Sequence, residues 1–169
     1  MSESREWLIQ WLRDAHAMEE QAETMLSGLL SRLANYPELS DRLQLHLDET
    51  RVQASRLKTC LDRIGADTST LKDAGGKLMA TAQTISGVFA GDEVMKGSLA
   101  SYTFEHMEIA SYTILIAAAE AAGETDVARI CEQNRQEEVA MATWLKNNLE
   151  STTTKFLSRA ETETDNAKR

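Results

Sequence analysis

The sequence predicts an all-α protein, a bundle of four long helices with one long connection in the middle. Two observations carry this. Helix formers dominate while Gly holds only eight positions and Pro37 is the sole proline, so little interrupts a helical run. Apolar residues also recur with the 3.6-residue period of a helix that buries one face, in four long segments. At 169 residues with 42% hydrophobic residues the chain is long enough for one domain with a core and too short to suggest two.

The first segment, Ser4 to about Asn35, places Leu8, Leu12, Ala15, Ala22, Leu26, Leu29 and Leu33 on one stripe. Asn35-Tyr36-Pro37 breaks it, with the proline suited to the first turn of the next helix. Leu39, Leu43, Leu57, Cys60, Leu61 and Ile64 then form a second stripe that stops at Gly65. Residues 66–92, punctuated by Gly75, Gly76, Gly87 and Gly91 around a short helix, are too long for a turn between antiparallel neighbours and are expected to cross over. A third helix is expected from about Asp92 to Ala122 with Gly123 as its cap, and a fourth from Glu124 to about Leu149. The division is thus a bundle over 1–150 and a polar, loosely ordered tail over 151–169, "STTTKFLSRAETETDNAKR". Two helical hairpins joined by one long crossover form a ferritin-like four-helix bundle, whereas up-down-up-down bundles have three short loops and cytokine-type bundles two long ones.

The formal net charge of -9 argues against nucleic acid and anionic membrane surfaces as partners. Cys60 and Cys131 are single and far apart, suggesting neither a CxxC pair nor a disulfide framework; both are expected to act as small core residues in a reducing compartment. The charged start "MSESREWLIQWLRDAH" has no apolar run suited to a signal peptide or a span, so a cytoplasmic location is expected.

Polar residues interrupt every apolar face. Glu19 breaks the leucine stripe of the first helix. His46, Thr50 and Gln53 lie in the second, with Glu49 on its flank. In "FEHMEIASYTILIAAAEAAG" Glu105 and Glu108 share a face with Ile109, Tyr112 and Ile116. Glu138 falls within the stripe of Val127, Cys131, Met141, Leu145 and Leu149, with Glu137 at its edge. Glu108 and Glu138 each stand 15 residues from Gly123, so an antiparallel hairpin brings them level. Glu19 and Glu49 differ by about one turn from the Tyr36 break, roughly 6 Å.

Several carboxylates at one level of a core need protons, paired cations or a metal. Lys and Arg are scarce on these faces. Oxygen-rich sites with few histidines suit Fe or Mn, and di-iron carboxylate bundles combine single glutamates with Glu-x-x-His pairs. The match is partial, because Val52 and Gln53 follow Glu49, and Met141 and Ala142 follow Glu138, where histidine is expected. His16, His46 and His106 each lie within three residues of a carboxylate, and they and Gln53 read as supports for those carboxylates instead of ligands. Tyr102 and Tyr112 read as core aromatics, with a hydroxyl that reaches the site as the alternative, and Asp14, in a stripe with Trp7, Trp11 and Met18, as a helix–helix contact.

"WLRDAHAMEEQAE", "HLDETRVQ", "FEHMEIASY" and "RQEEVAMATWL" resemble the four helix motifs of the YciE/YciF family of ferritin-like bacterial stress proteins, and "NYPEL" and "TTTKFLSR" extend the likeness. The resemblance implies a ferritin-like fold, a homodimer and a di-metal carboxylate site of unestablished reaction. By the same resemblance the metal positions are Glu19, Glu49, Glu105, Glu108 and either Glu137 or Glu138. The glutamate pair on the third helix is also similar to that of rubrerythrins, although the missing histidines argue against a rubrerythrin-like peroxidase. Two functions remain open: a ferroxidase or oxidoreductase with two Fe or Mn ions per chain, or a non-catalytic stress or interaction protein that keeps the fold. The third helix is apolar on nearly every side from Ile109 to Ala122, so a second subunit is expected to cover the surplus.

Overall fold

The protein is described by a computed structural model that covers residues 2–66 and 92–162. Four helices account for nearly all of it: α1 (Glu3–Leu30), α2 (Pro37–Arg63), α3 (Glu93–Ala121) and α4 (Thr125–Thr162). No strand occurs among the described residues. Local signals set the ends. Ser2 caps α1 by accepting from the Arg5 amide, Pro37 occupies the first turn of α2, and Gly123 takes a φ of 74° at the turn into α4, which a side chain would resist.

Side-chain pairs along the seams give the topology. Glu23 meets Arg51 and Arg5 meets the Ile64 carbonyl, so α1 and α2 are antiparallel. The three-residue turn at Ala122–Glu124 reverses the chain, and Tyr112 still meets Asn134 well back from it, so α3 and α4 are too. Arg32 pairs with Glu93 at one end of the α1–α3 seam while Tyr112 reaches Glu19 further along it. Arg63 pairs with Asp126 and Arg56 with Glu137 across α2 and α4. All four neighbouring pairs therefore run antiparallel. Ala66 and Asp92, which bracket the connection, lie at opposite ends of the bundle, as the ferritin-like crossover requires. The short helix expected within that connection lies outside the described residues. Gly97 allows α3 to approach α1 closely, since a Cβ there would fall 2.4 Å from Leu29 Cδ1.

The fourth helix does not end near Leu149 but continues to Thr162. The hydroxyls of Thr153, Thr154 and Thr162 donate to carbonyls one turn back, so the polar residues that suggest a loose tail are accommodated within the helix. Lys155 sits over the Tyr36 ring at 5.2 Å and ties this extension to the α1–α2 turn.

Among the described residues most buried apolar side chains fall into two clusters. One gathers Leu8, Leu12, Ala15, Leu57, Leu61, Leu115 and Val127; the other gathers Leu26, Leu33, Leu39, Leu43, Val94, Met141 and Leu145. Between them lies a layer of buried polar residues supplied by all four helices: Glu19, His46, Thr50, Gln53, Ser101, Glu105, Glu108, Asn134 and Glu138.

Candidate metal centre

Each helix delivers its polar residue to this layer by its register. On α3, Glu105, Glu108 and Tyr112 are spaced i, i+3 and i+7 and all face inward, 1%, 1% and 0% exposed. On α4, Asn134 and Glu138 are one turn apart and fully buried. His46, Glu105, Glu108 and Glu138 converge most closely: one ligand atom from each lies within 4.8 Å of all the others. His46 Nε2 stands 3.1 Å from Glu105 Oε2 and 3.3 Å from Glu138 Oε2, its N–H aligned on neither. Its Nδ1 is 3.0 Å from Glu49 Oε2, which also accepts from Arg42 at 3.2 Å.

Burial dominates the electrostatics. It raises Glu105 to about 8 against the opposing pull of His46. Glu108 is pushed well above the usual carboxylate range by burial and then by Glu138, Glu19 and Glu105. Glu19 is raised by burial and Glu138, with the Tyr112 hydroxyl working the other way. Burial opposes charge on His46, but Glu105, Glu138 and Glu49 outweigh it and push the imidazole up to about 12. For Glu49, burial is outweighed by His46 and Arg42, which hold it below its usual value.

Donors are short. Among the described residues five buried carboxylate oxygens have no hydrogen-bond partner: Glu19 Oε2, Glu105 Oε2, Glu108 Oε1 and both oxygens of Glu138. Oxygens of this kind in a core await protons or a cation. The donor set, carboxylates with one imidazole, fits hard or borderline divalent ions such as Mn or Fe.

The other residues singled out by the sequence divide clearly. Glu19 is buried in the same layer, with Oε1 accepting from Tyr112. Glu49 is a quarter exposed and faces His46 and Arg42 instead of the cluster. Glu137 lies on the flank of α4, held by Gln53 Nε2 at 3.0 Å and by Arg56. His16 is buried apart from the cluster, 3.9 Å from Glu20, and His106 is exposed, edge-on to the Tyr102 ring at 4.6 Å. Asp14 accepts from Gln10 within its own helix. Cys60 and Cys131 are fully buried core thiols that burial pushes up to about 11 and about 12. Sequence reading did not single out Asn134 or Arg56. The i, i+4 spacing of Asn134 and Glu138 is the signal that places the asparagine on the inner face.

Residues 3–158 match a family described as a domain of unknown function, DUF892. The chain belongs to the DUF892 family. Solved structures similar to this DUF892 chain include a protein of Xanthomonas campestris pv. campestris, 41% identical over 94% of this chain and 99% of that one, with a TM-score of 0.80. Another is YcfI, named a putative structural protein, from Rhodopseudomonas palustris: 28% identity, 86% and 94% coverage, TM-score 0.70. The E. coli stress protein YciF shares the fold at 24% identity, over 92% and 99% of the two chains, with a TM-score of 0.73. These likenesses bear out the resemblance drawn from the four helix motifs. Among the described residues no helix of this DUF892 member is long and apolar enough to cross a membrane.

Proposed function

We propose that this DUF892 protein holds two divalent ions, Fe or Mn, within its bundle. The observation that carries the reading is the convergence of His46, Glu105, Glu108 and Glu138 beside Glu19, with five buried carboxylate oxygens lacking donors. His46, Glu105, Glu108 and Glu138 would hold one ion; Glu19, with Glu108 and Glu138, would hold the second. Four carboxylates balance two divalent charges with His46 neutral. Glu49 would then orient His46 through Nδ1, as carboxylates do for metal-bound imidazoles, so the parts expected of these two residues are exchanged. A redox-active pair of this kind supplies electron exchange with dioxygen or peroxide, the basis of a ferroxidase or oxidoreductase function. The protein's share is to position the carboxylates, exclude water through the two flanking apolar clusters, and keep Arg42 and Arg56 at the rim. The stress-response role and the homodimer belong to the same proposal on the strength of the family resemblance, and the cytoplasmic location on the charged N-terminal sequence and the two separate cysteines.

A second reading is a non-catalytic interaction protein whose carboxylates are neutralised by protons and by His46. It is favoured by Glu105, raised to about 8 by burial and so protonated at neutral pH, and by the upward push that burial and neighbouring carboxylates exert on Glu19 and Glu108. Metal content of freshly purified protein, measured by mass spectrometry, decides between them. Near two Fe or Mn per chain supports the metal centre; metal-free protein that also takes up neither ion on anaerobic titration supports the second reading.

A further inference from the structure

Beyond the cluster itself, one hydrogen-bonded chain crosses the whole bundle and ends on a carboxylate of the polar layer. Arg56 on α2 donates from Nη1 to Asn134 Oδ1 on α4 at 2.9 Å. Asn134 Nδ2 donates to the Tyr112 hydroxyl on α3 at 3.0 Å. The Tyr112 hydroxyl meets Glu19 Oε1 on α1. Asn134, Tyr112 and Glu19 are all fully buried, and Arg56 is anchored at the rim by Glu137.

The direction of this chain is fixed by its first member. A guanidinium only donates, so the oxygen of the Asn134 amide must face Arg56 and its NH2 must face Tyr112. The Tyr112 oxygen then accepts from Asn134, and its single proton is left for Glu19. Glu19 Oε1 is therefore held from one side, while Oε2 has no partner. Glu19 lies next to Glu138 and Glu105 electrostatically, yet it is outside the group of four whose ligand atoms all meet within 4.8 Å. An unrestrained glutamate in that place has several rotamers to choose from; one held by a directed hydrogen bond has few.

We infer that Tyr112, oriented in turn by Asn134 and Arg56, is the positioning residue that presents Glu19 to the centre and so determines whether the second ion is held. The inference rests on the two-ion reading above. It assigns the two ions different sensitivities: the one among His46, Glu105, Glu108 and Glu138 is independent of the chain, and the one that needs Glu19 depends on it.

Tyr112→Phe keeps the ring that fills the core and removes only the hydroxyl. Asn134→Asp keeps an acceptor for Arg56 and removes the donor to Tyr112, so the tyrosine proton is drawn away from Glu19. Leu8→Ala, at a fully buried position near the start of α1, destabilises the core far from Glu19 and reports on instability alone. Metal-free wild type and the three variants are titrated with Mn(II), free ion being counted by electron paramagnetic resonance, and melted in parallel. The expected result is two ions for wild type and Leu8→Ala. For Tyr112→Phe and Asn134→Asp, one ion binds as in wild type and the second at least tenfold more weakly. Should Tyr112→Phe fail to fold, Asn134→Asp carries the test alone. Two ions bound with wild-type affinity by the folded variants overturn the role of Tyr112 and leave the metal centre standing, as does an equal weakening in Leu8→Ala. Wild type that binds one ion overturns the two-ion reading and, with it, the inference, leaving a single-ion centre among His46, Glu105, Glu108 and Glu138; wild type that binds none overturns the metal centre altogether.

Discussion

Replacing Glu105 and Glu108 with glutamine should strengthen the metal-free protein and abolish its response to metal. In the folded chain Glu105 is raised from its ordinary value of 4.5 to about 8. At pH 7 the unfolded chain has released this proton and the folded chain has kept it, a gap of roughly 2.5 pH units that costs about 3 kcal/mol at 1.4 kcal/mol per unit. Glu108 adds to this in the same direction, since burial, Glu138, Glu19 and Glu105 all oppose its charge. Glutamine removes the penalty but introduces an amide whose donors need partners, at about 1–2 kcal/mol if one goes unpaired. A net gain of ~1–3 kcal/mol remains, or roughly 2–12 °C in Tm for a chain of this size. Wild type should in turn gain about 2.7 kcal/mol from metal at a hundredfold excess over Kd, and the double variant nothing. Thermal melts of both proteins, with and without Mn(II), read all four quantities. Four superimposed curves would refute the reasoning, because they would mean that these side chains neither bear a burial penalty nor hold an ion.

The pH dependence follows from the same groups. Below about pH 4.5 Glu105 is protonated in both folded and unfolded chains and its penalty is absent; as the pH rises toward 8 the unfolded chain ionises first, so metal-free stability should fall across that window. Glu49 acts with the opposite sign, its lowered pKa adding stability that is lost in acid, and Mn(II) should reverse the upper trend because it binds the deprotonated form; urea titrations from pH 4 to 8 check all three. Homodimerisation should bury the outer face of α3, where the exposed Leu99, Thr103, His106, Ala110, Thr113, Ile114 and Ala117 carry no formal charge and Glu120 lies at the C-terminal end. Light scattering should give twice the 18.8 kDa chain mass, and Ile114→Glu should return the monomer. Oxidation of anaerobically loaded Fe(II) in air should be slow, because His46 is the only histidine in the group; a rapid, stoichiometric appearance of ferric iron would contradict this.

Most of the fold was legible because each stripe is long and its breaks are chemically sharp: Pro37, Gly65 and Gly123 each stand where a helix begins or ends. The equal distances of Glu108 and Glu138 from Gly123 likewise put them in one layer once α3 and α4 pair antiparallel. The end of α4 was not legible. Serine and threonine read as helix-ending residues in a window of sequence, and only their hydroxyl bonds to carbonyls one turn back show that they sit comfortably inside a helix.

The site was legible by face but not by partner. One residue turns a helix by about 100°, which is enough to separate Glu138 from Glu137: the first is fully buried, the second is captured on the flank by Arg56 and Gln53. Between His46 and Glu49 the face alone decides nothing, because three residues bring them to within about 60° of each other. What separates them is Arg42, two turns before Glu49, which together with His46 Nδ1 holds the glutamate at the rim and leaves Nε2 to face Glu105 and Glu138. A search for Glu-x-x-His finds nothing on α2 because the chain carries His46-x-x-Glu49 there. The reversed order brings imidazole and carboxylate together just as well, since i and i+3 are neighbours on a helix in either direction. Which of the two faces inward is set by Arg42, which holds Glu49 at the rim and leaves the imidazole to the core.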